Sequence, residues 1–136
     1  EEFITMIVRA GDFPTTGVFC DFKDVDRNAW YYVYVASGYS NGLMTGVDKE
    51  YMGIGSNITR QDMAVLCKRA YKDKLVHKRD YKPFADESDI MDYAEDAVKE
   101  LYCASVINGI DKNNFSPRAT ATRAQSAVML NNLFLK

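Results

Sequence analysis

Ile58-Thr59-Arg60-Gln61-Asp62-Met63-Ala64-Val65 is echoed 63 positions later by Ala121-Thr122-Arg123-Ala124-Gln125-Ser126-Ala127-Val128, with Thr-Arg and Ala-Val in register. The same displacement lays Gly46-Val47-Asp48-Lys49 on Gly109-Ile110-Asp111-Lys112 and Trp30 on Tyr93. A displacement of 62 lays Phe22-Lys23-Asp24 on Phe84-Ala85-Asp86, so one residue is inserted after the second Phe-x-Asp. Self-similarity at this period marks a repeat whose single unit cannot bury its own apolar faces and must close on neighbours. A partial third copy opens the chain. Displaced by 60, residues 2–10 lie on 62–70, Arg9-Ala10 matches Arg69-Ala70, and Glu1 falls on Gln61. The start then coincides with a trypsin-like cut after Thr-Arg, and the chain reads as a proteolytic or engineered piece of a three-copy module.

Each copy predicts helix, loop, helix. In the middle copy the first helix is expected over about 28–39, with Ala29, Val33 and Ala36 as its small apolar face. In the last copy it is expected over about 92–105, with Ala94, Ala97, Val98, Leu101 and Tyr102 at helical spacing. A loop follows, opened by Thr45-Gly46 or Asn108-Gly109, where glycine admits a close backbone approach. The second helix starts at Thr59 or Thr122, in sequences resembling capping boxes. It continues through Met63, Leu66, Cys67 and Ala70, or through Ala127, Met129, Leu130, Leu133 and Phe134. No alternating strand pattern accompanies these, so the fold class is all-α. The divisions are a closing helix and linker at 1–19 and two repeats at 20–80 and 81–136.

Composition narrows the function. The chain has 136 residues, 47% of them apolar and 26% charged, as in globular domains. Its 17 basic against 19 acidic residues leave a net charge of −2, without the basic excess expected of a nucleic-acid or anionic-membrane binder. No apolar run is long enough to span a membrane. Cys20, Cys67 and Cys103 form no Cys-x-x-Cys or Cys/His cluster, so neither a structural metal nor a cofactor is expected. Cys67 and Cys103 read as small buried helix residues, with a disulfide between two of the three left open. His77 sits in the charged run 72–80, read as a solvated helix end and linker. No nucleophile elbow, P-loop or His-Glu-x-x-His motif occurs, and the acids at 87–96 read as a helix start, so no catalysis is expected.

The ordered motifs resemble the S-layer homology repeat. The middle copy has Phe22-Lys23-Asp24-Val25, Ala29-Trp30-Tyr31, Gly42-Leu43-Met44-Thr45-Gly46 and Ile58-Thr59-Arg60-Gln61-Asp62-Met63. The last copy has Phe84-Ala85-Asp86, Tyr93-Ala94, Val106-Ile107-Asn108-Gly109, Phe115-Ser116-Pro117 and Thr122-Arg123-Ala124-Gln125. The middle copy lacks the family's Asp-Gly-x-Phe-x-Pro, and Asp62 and Gln125 replace its glutamate. The resemblance implies helical repeats packed as part of a pseudo-threefold spindle on the bacterial cell surface, in the cell wall or S-layer. It implies non-covalent anchoring of a surface protein, without catalysis. The implied partner is secondary cell-wall polysaccharide, often carrying pyruvate ketals, held in inter-repeat grooves. Nucleic acid and membrane insertion are not implied. The missing part of the first repeat is a further candidate partner, and a diverged protein–protein assembly module without glycan affinity is the alternative.

The chemistry of such a ligand selects residues. A ketal pyruvate carboxylate suits the planar donor fork of an arginine at a helix start, where free backbone N–H groups and the dipole also favour an anion. Arg60 and Arg123 hold that position, with pairing to a nearby acid such as Asp24 or Asp86 as the structural reading. Trp30 can stack on a sugar ring or anchor a core, and Tyr93 is its counterpart. Asp24, Asp48 and Asp111 can accept from sugar hydroxyls or form turns. Gly46, Asn108 and Gly109 complete the expected ligand-binding set as the loop openings.

Overall fold

The computed structural model describes residues 1–111 and 113–135; Lys112, which closes the second Gly-Ile-Asp-Lys, and Lys136 lie outside them. Among the described residues the chain is helical, with α1 (Glu2–Ala10), α2 (Tyr32–Ser40), α3 (Arg60–Tyr71), α4 (Asp92–Cys103) and α5 (Arg123–Phe134). Short 3-10 turns occupy Lys72–Lys74 and Glu87–Asp89. The one extended pairing described is an isolated bridge between Thr59 and Thr120. The all-α expectation therefore holds, and both second helices begin at the expected threonines.

The two caps differ in a way their side-chain lengths explain. Thr122 accepts from the Gln125 amide while the Gln125 carbonyl reaches back to the Thr122 N–H, a complete capping box. At α3 the third residue is Asp62. Thr59 accepts from its amide, and the Thr59 hydroxyl in turn donates to the Asp62 carboxylate at 2.6 Å.

Packing divides the chain into two compact units, Glu1–Ser56 and Asn57–Lys136, which cut across the sequence repeats. Each unit joins the closing helix of one repeat to the opening half of the next. In the first, α1 turns Phe3, Ile4, Ile7 and Val8 inward at helical spacing and packs on α2. Gly38 makes that approach possible. A Cβ there would lie 2.5 Å from the Ile4 Cδ1. α2 starts four residues later than the spacing suggests. The Asp26 carboxylate captures the Asn28 amide, and successive three-residue turns carry residues 26–32 into the helix. The expected face at Ala29, Val33 and Ala36 is corrected accordingly. The buried residues are Val35, Ala36, Ser37 and Gly38, and Val33 is exposed.

In the second unit α3 packs on both α4 and α5. Met63, Ala64 and Cys67 meet a core of Ala94, Ala97, Val98, Leu101, Met129, Leu130, Leu133 and Phe115. Tyr102, expected in that face, is half-buried and stacks edge-on against Tyr81 and Phe84. Cys67 and Cys103 are buried free thiols, as the small buried reading has it; Cys20 is buried too, and no disulfide joins the three. Burial raises the pKa of Cys67, so it packs as a neutral side chain.

Leu101→Ala should lower unfolding free energy by about 2–5 kcal/mol in urea titrations, the cost of a core cavity. Val33→Ala, by contrast, should stay within about 0.5 kcal/mol, because the side chain faces solvent.

Candidate ligand-binding loops and helix starts

The Phe-x-Asp carboxylates organise the loops. Asp24 accepts from the amides of Met52, Gly53 and Ile54 at 2.8, 2.7 and 2.9 Å. Asp86 accepts from Phe115 and Ser116 at 2.8 and 2.7 Å. The neighbouring backbone repeats too, with Lys23 N–H donating to Glu50 O and Ala85 N–H to Asn113 O. Burial alone would raise the Asp24 pKa, but the amide hydrogen bonds together outweigh it and hold the carboxyl below its ordinary range.

Inside each loop a second carboxylate closes a turn. Asp48 accepts from the amides of Glu50 and Tyr51, and Asp111 from those of Asn113 and Asn114. The Asn113 amide, with the Asn114 side chain and amide, keeps the Asp111 pKa below its usual value. Asp24, Asp48 and Asp111 therefore all serve as backbone clamps in the structure. The glycines beside them are required by space. A Cβ on Gly46, whose φ is +87°, would come within 2.7 Å of Tyr51 O. A Cβ on Gly109 would lie 2.6 Å from Asp111 O and nearer still to Asn114 O.

The two arginines of the repeated Thr-Arg are placed differently. Arg60 is 5% exposed. Its Nε donates to Phe115 O at 2.7 Å, its Nη2 donates to Asn108 O at 3.4 Å, and the guanidinium lies 4.9 Å from the centre of the Phe115 ring. Burial lowers its pKa and the charge of Asp86 opposes that shift. The acid that balances Arg60 is thus Asp86, acting through its field while its oxygens hold backbone amides. The expectation of free amides at this helix start is corrected. Arg60 N–H donates to Ala119 O, Gln61 N–H to Pro117 O, and Asp62 N–H to Thr59. Arg123, by contrast, is exposed at the start of α5.

Trp30 is 61% exposed and Tyr93 58% exposed, so neither anchors a core. Trp30 meets Tyr31 edge-on. The Tyr93 hydroxyl donates to Asp62 Oδ1 at 2.6 Å and accepts from Gln61 Nε2 at 3.1 Å. Desolvation and the Asp62 carboxylate push its pKa up to about 12. Gln61, which sequence reasoning passed over, is buried and also accepts from Met91 N–H, tying the starts of α3 and α4 together. Arg79, in the run taken as a solvated linker, was also passed over. Its Nε donates to Tyr102 O and its Nη2 to Ile107 O and the Asn108 Oδ1. His77 in the same run lies 2.9 Å from a Glu100 carboxylate oxygen.

In the second unit Arg60 donates to the loop that carries Asn108, Gly109 and Asp111, and Tyr93 is tied to the start of α3 through Asp62 and Gln61. In the first unit Asp24, Gly46 and Asp48 share the equivalent loop, and Trp30 is presented from the turn before α2. This is a helical repeat with rigid loops and exposed aromatic side chains, the build of a binding module. The S-layer homology domain profile matches residues 21–64 and 83–127, and the chain belongs to that family. It is 30% identical over 138 residues to an endoglucanase of Bacillus sp. (strain KSM-635), covering 99% of this chain and 14% of the endoglucanase. It is 30% identical over 138 residues to the exoglucanase XynX of Acetivibrio thermocellus, covering 99% and 13%. It is 31% identical over 112 residues to a surface-layer 125 kDa protein of Lysinibacillus sphaericus, covering 80% and 9%. The chain spans 14% or less of the length of these relatives, so what it shares with the enzymes is a small part of each. S-layer homology domains are cell-surface modules that anchor proteins to the cell wall. Among the described residues no helix is long and apolar enough to cross a membrane.

Replacing Arg60 by Met should cost about 2 kcal/mol or more in chemical denaturation, because Phe115 and Asn108 lose their buried donor. Lysine should not restore it, lacking the planar fork. Asp24 and Asp111 have pKa values lower folded than unfolded, so their contribution is present above the ordinary value of 3.8 and is lost as pH falls through the folded value. Asp24→Asn should therefore be less stable than wild type at pH 7. The gap should narrow at pH 3 when urea midpoints are compared.

Proposed function

We propose that this chain anchors a surface protein non-covalently to the bacterial cell wall by binding secondary cell-wall polysaccharide, with a pyruvylated amino sugar as the recognised unit. The observation that carries the reading is the repetition of one loop architecture in two units, each of which also exposes an aromatic side chain, Trp30 in one and Tyr93 in the other. Aromatic faces and rigid polar loops are what a sugar ring needs, and the fold supplies both twice. Membership in the S-layer homology family supports the same reading.

In this reading the roles divide. Trp30 and Tyr93 stack on sugar faces, and Gly46 and Gly109 let each loop close on its own backbone and so shape the surface that the ligand meets. Asn108 and the outer edges of the Asp48 and Asp111 turns meet hydroxyl or amide groups. Arg123 takes the ketal carboxylate with its planar fork. Arg60 and Asp24 act from behind, holding the loops in shape. Each site alone is weak, and two sites on one chain add through effective concentration. In this reading the chain performs no chemistry of its own; it covers 14% of the endoglucanase and 13% of the exoglucanase it resembles.

The test is sedimentation with purified Lysinibacillus sphaericus cell walls, intact or stripped of their polysaccharide. The chain should pellet with intact walls only, and equal retention on stripped walls would sink the proposal. Arg123→Ala and Trp30→Ala should each weaken retention about tenfold, the scale of one charge-assisted hydrogen bond or one aromatic contact.

A further inference from the structure

Arg79 lies before the second Phe-x-Asp, in a segment that the motifs leave unassigned. Its position is nonetheless closely determined. Lys78 N–H and Arg79 N–H both donate to Cys103 O, at 2.7 and 3.1 Å, so the linker is laid across the carboxyl end of α4. The half-buried guanidinium then stacks on the Tyr102 ring, 3.7 Å from its centre. Nε donates to Tyr102 O at 2.7 Å, satisfying a carbonyl at the end of the helix, where a cation is favoured. Nη2 donates to Ile107 O at 2.7 Å and to Asn108 Oδ1 at 2.9 Å. Asn108 is thus held from two sides, its side chain by Arg79 and its backbone carbonyl by Arg60.

We infer that Arg79 is a positioning residue for ligand binding in the second unit: by taking Oδ1 of Asn108 it turns the Nδ2 amide toward solvent as a donor to an acceptor oxygen of the bound sugar. The inference rests on the anchor reading above. An asparagine amide can face either way, and a cation at one end selects the orientation, because only the oxygen can accept from it. Asn108 is exposed, so the selected donor is available at the surface. The middle copy has no such device. Gly17 stands where Arg79 stands at the displacement of 62, and Thr45 stands where Asn108 stands at 63. The two equivalent loops therefore differ in how their openings are ordered. The second presents a fixed amide donor and the first a threonine.

The experiment is a double-mutant cycle on the full chain, read as apparent affinity for intact Lysinibacillus sphaericus cell walls. Arg79→Ala and Asn108→Ala should each weaken binding about tenfold, and the double variant should be no weaker than Asn108→Ala alone, since Arg79 acts through that amide. Arg79→Lys keeps the positive charge but cannot reach Tyr102, Ile107 and Asn108 together, and should bind like Arg79→Ala. It also guards against a fold defect in the alanine variant. A second readout is the Asn108 side-chain NH2 pair in nitrogen–proton NMR spectra. It should move in Arg79→Lys while the core resonances of Met63 and Leu101 stay in place. Additive losses, full binding by Arg79→Lys, or unmoved Asn108 signals would each overturn the role of Arg79 while leaving the anchor reading intact. Failure of the unmutated chain to bind the walls would overturn both.

Discussion

The peptide groups of Phe115 are gripped from two sides by opposite charges. Asp86 accepts its N–H and Arg60 donates to its C=O, while its ring is fully buried beneath the guanidinium. Burying charge is costly unless each group is hydrogen-bonded, and both are. Asp86 comes from the start of one repeat and Arg60 from the closing helix of the repeat before it. The loop that joins the halves of a repeat is therefore ordered by a side chain outside that repeat. This is why the compact units run 1–56 and 57–136 rather than along the repeated motifs.

The same logic separates scaffold from surface. The loop carboxylates of Asp24, Asp48, Asp86 and Asp111 each accept from backbone amides, Asp24 and Asp86 with both oxygens. Short polar side chains in loops find backbone donors within two or three residues or across a turn, and such local bonds form before any ligand arrives. Among the candidate ligand-binding residues, Trp30, Tyr93, Asn108 and Arg123 are the exposed side chains outside the carboxylates. Tyr93 differs from Trp30 in being tethered through its hydroxyl to Asp62 and Gln61. A tethered ring has less freedom left to lose than an untethered one, and that sets the two aromatic side chains apart.

Much of this was legible in the residues. The displacement of 63 with Thr-Arg in register places both second helices, and Thr59 and Thr122 cap them as their types predict. The apolar spacing of Ala94, Ala97, Val98 and Leu101 picks out the buried face of α4. The start of α2 was misjudged, because the Asp26 turn competes with the helix for the amides of residues 28–32. Gln61 and Arg79 escaped notice for a shared reason. Polar and charged side chains in helix starts and linkers are usually solvated, and only their distant partners reveal otherwise.

From sequence alone came the repeat, the all-helical class, the capped helix starts and the loop glycines, since each depends on interactions within a few residues or on a period that the chain displays openly. Tertiary structure decided the fate of the two arginines. Thr59-Arg60 and Thr122-Arg123 are locally alike, yet Arg60 is covered because Asn108, Phe115, Pro117 and Ala119 fold back over it, whereas Arg123 stands exposed. Burial is a property of what packs against a residue from far along the chain, and no local pattern carries that information.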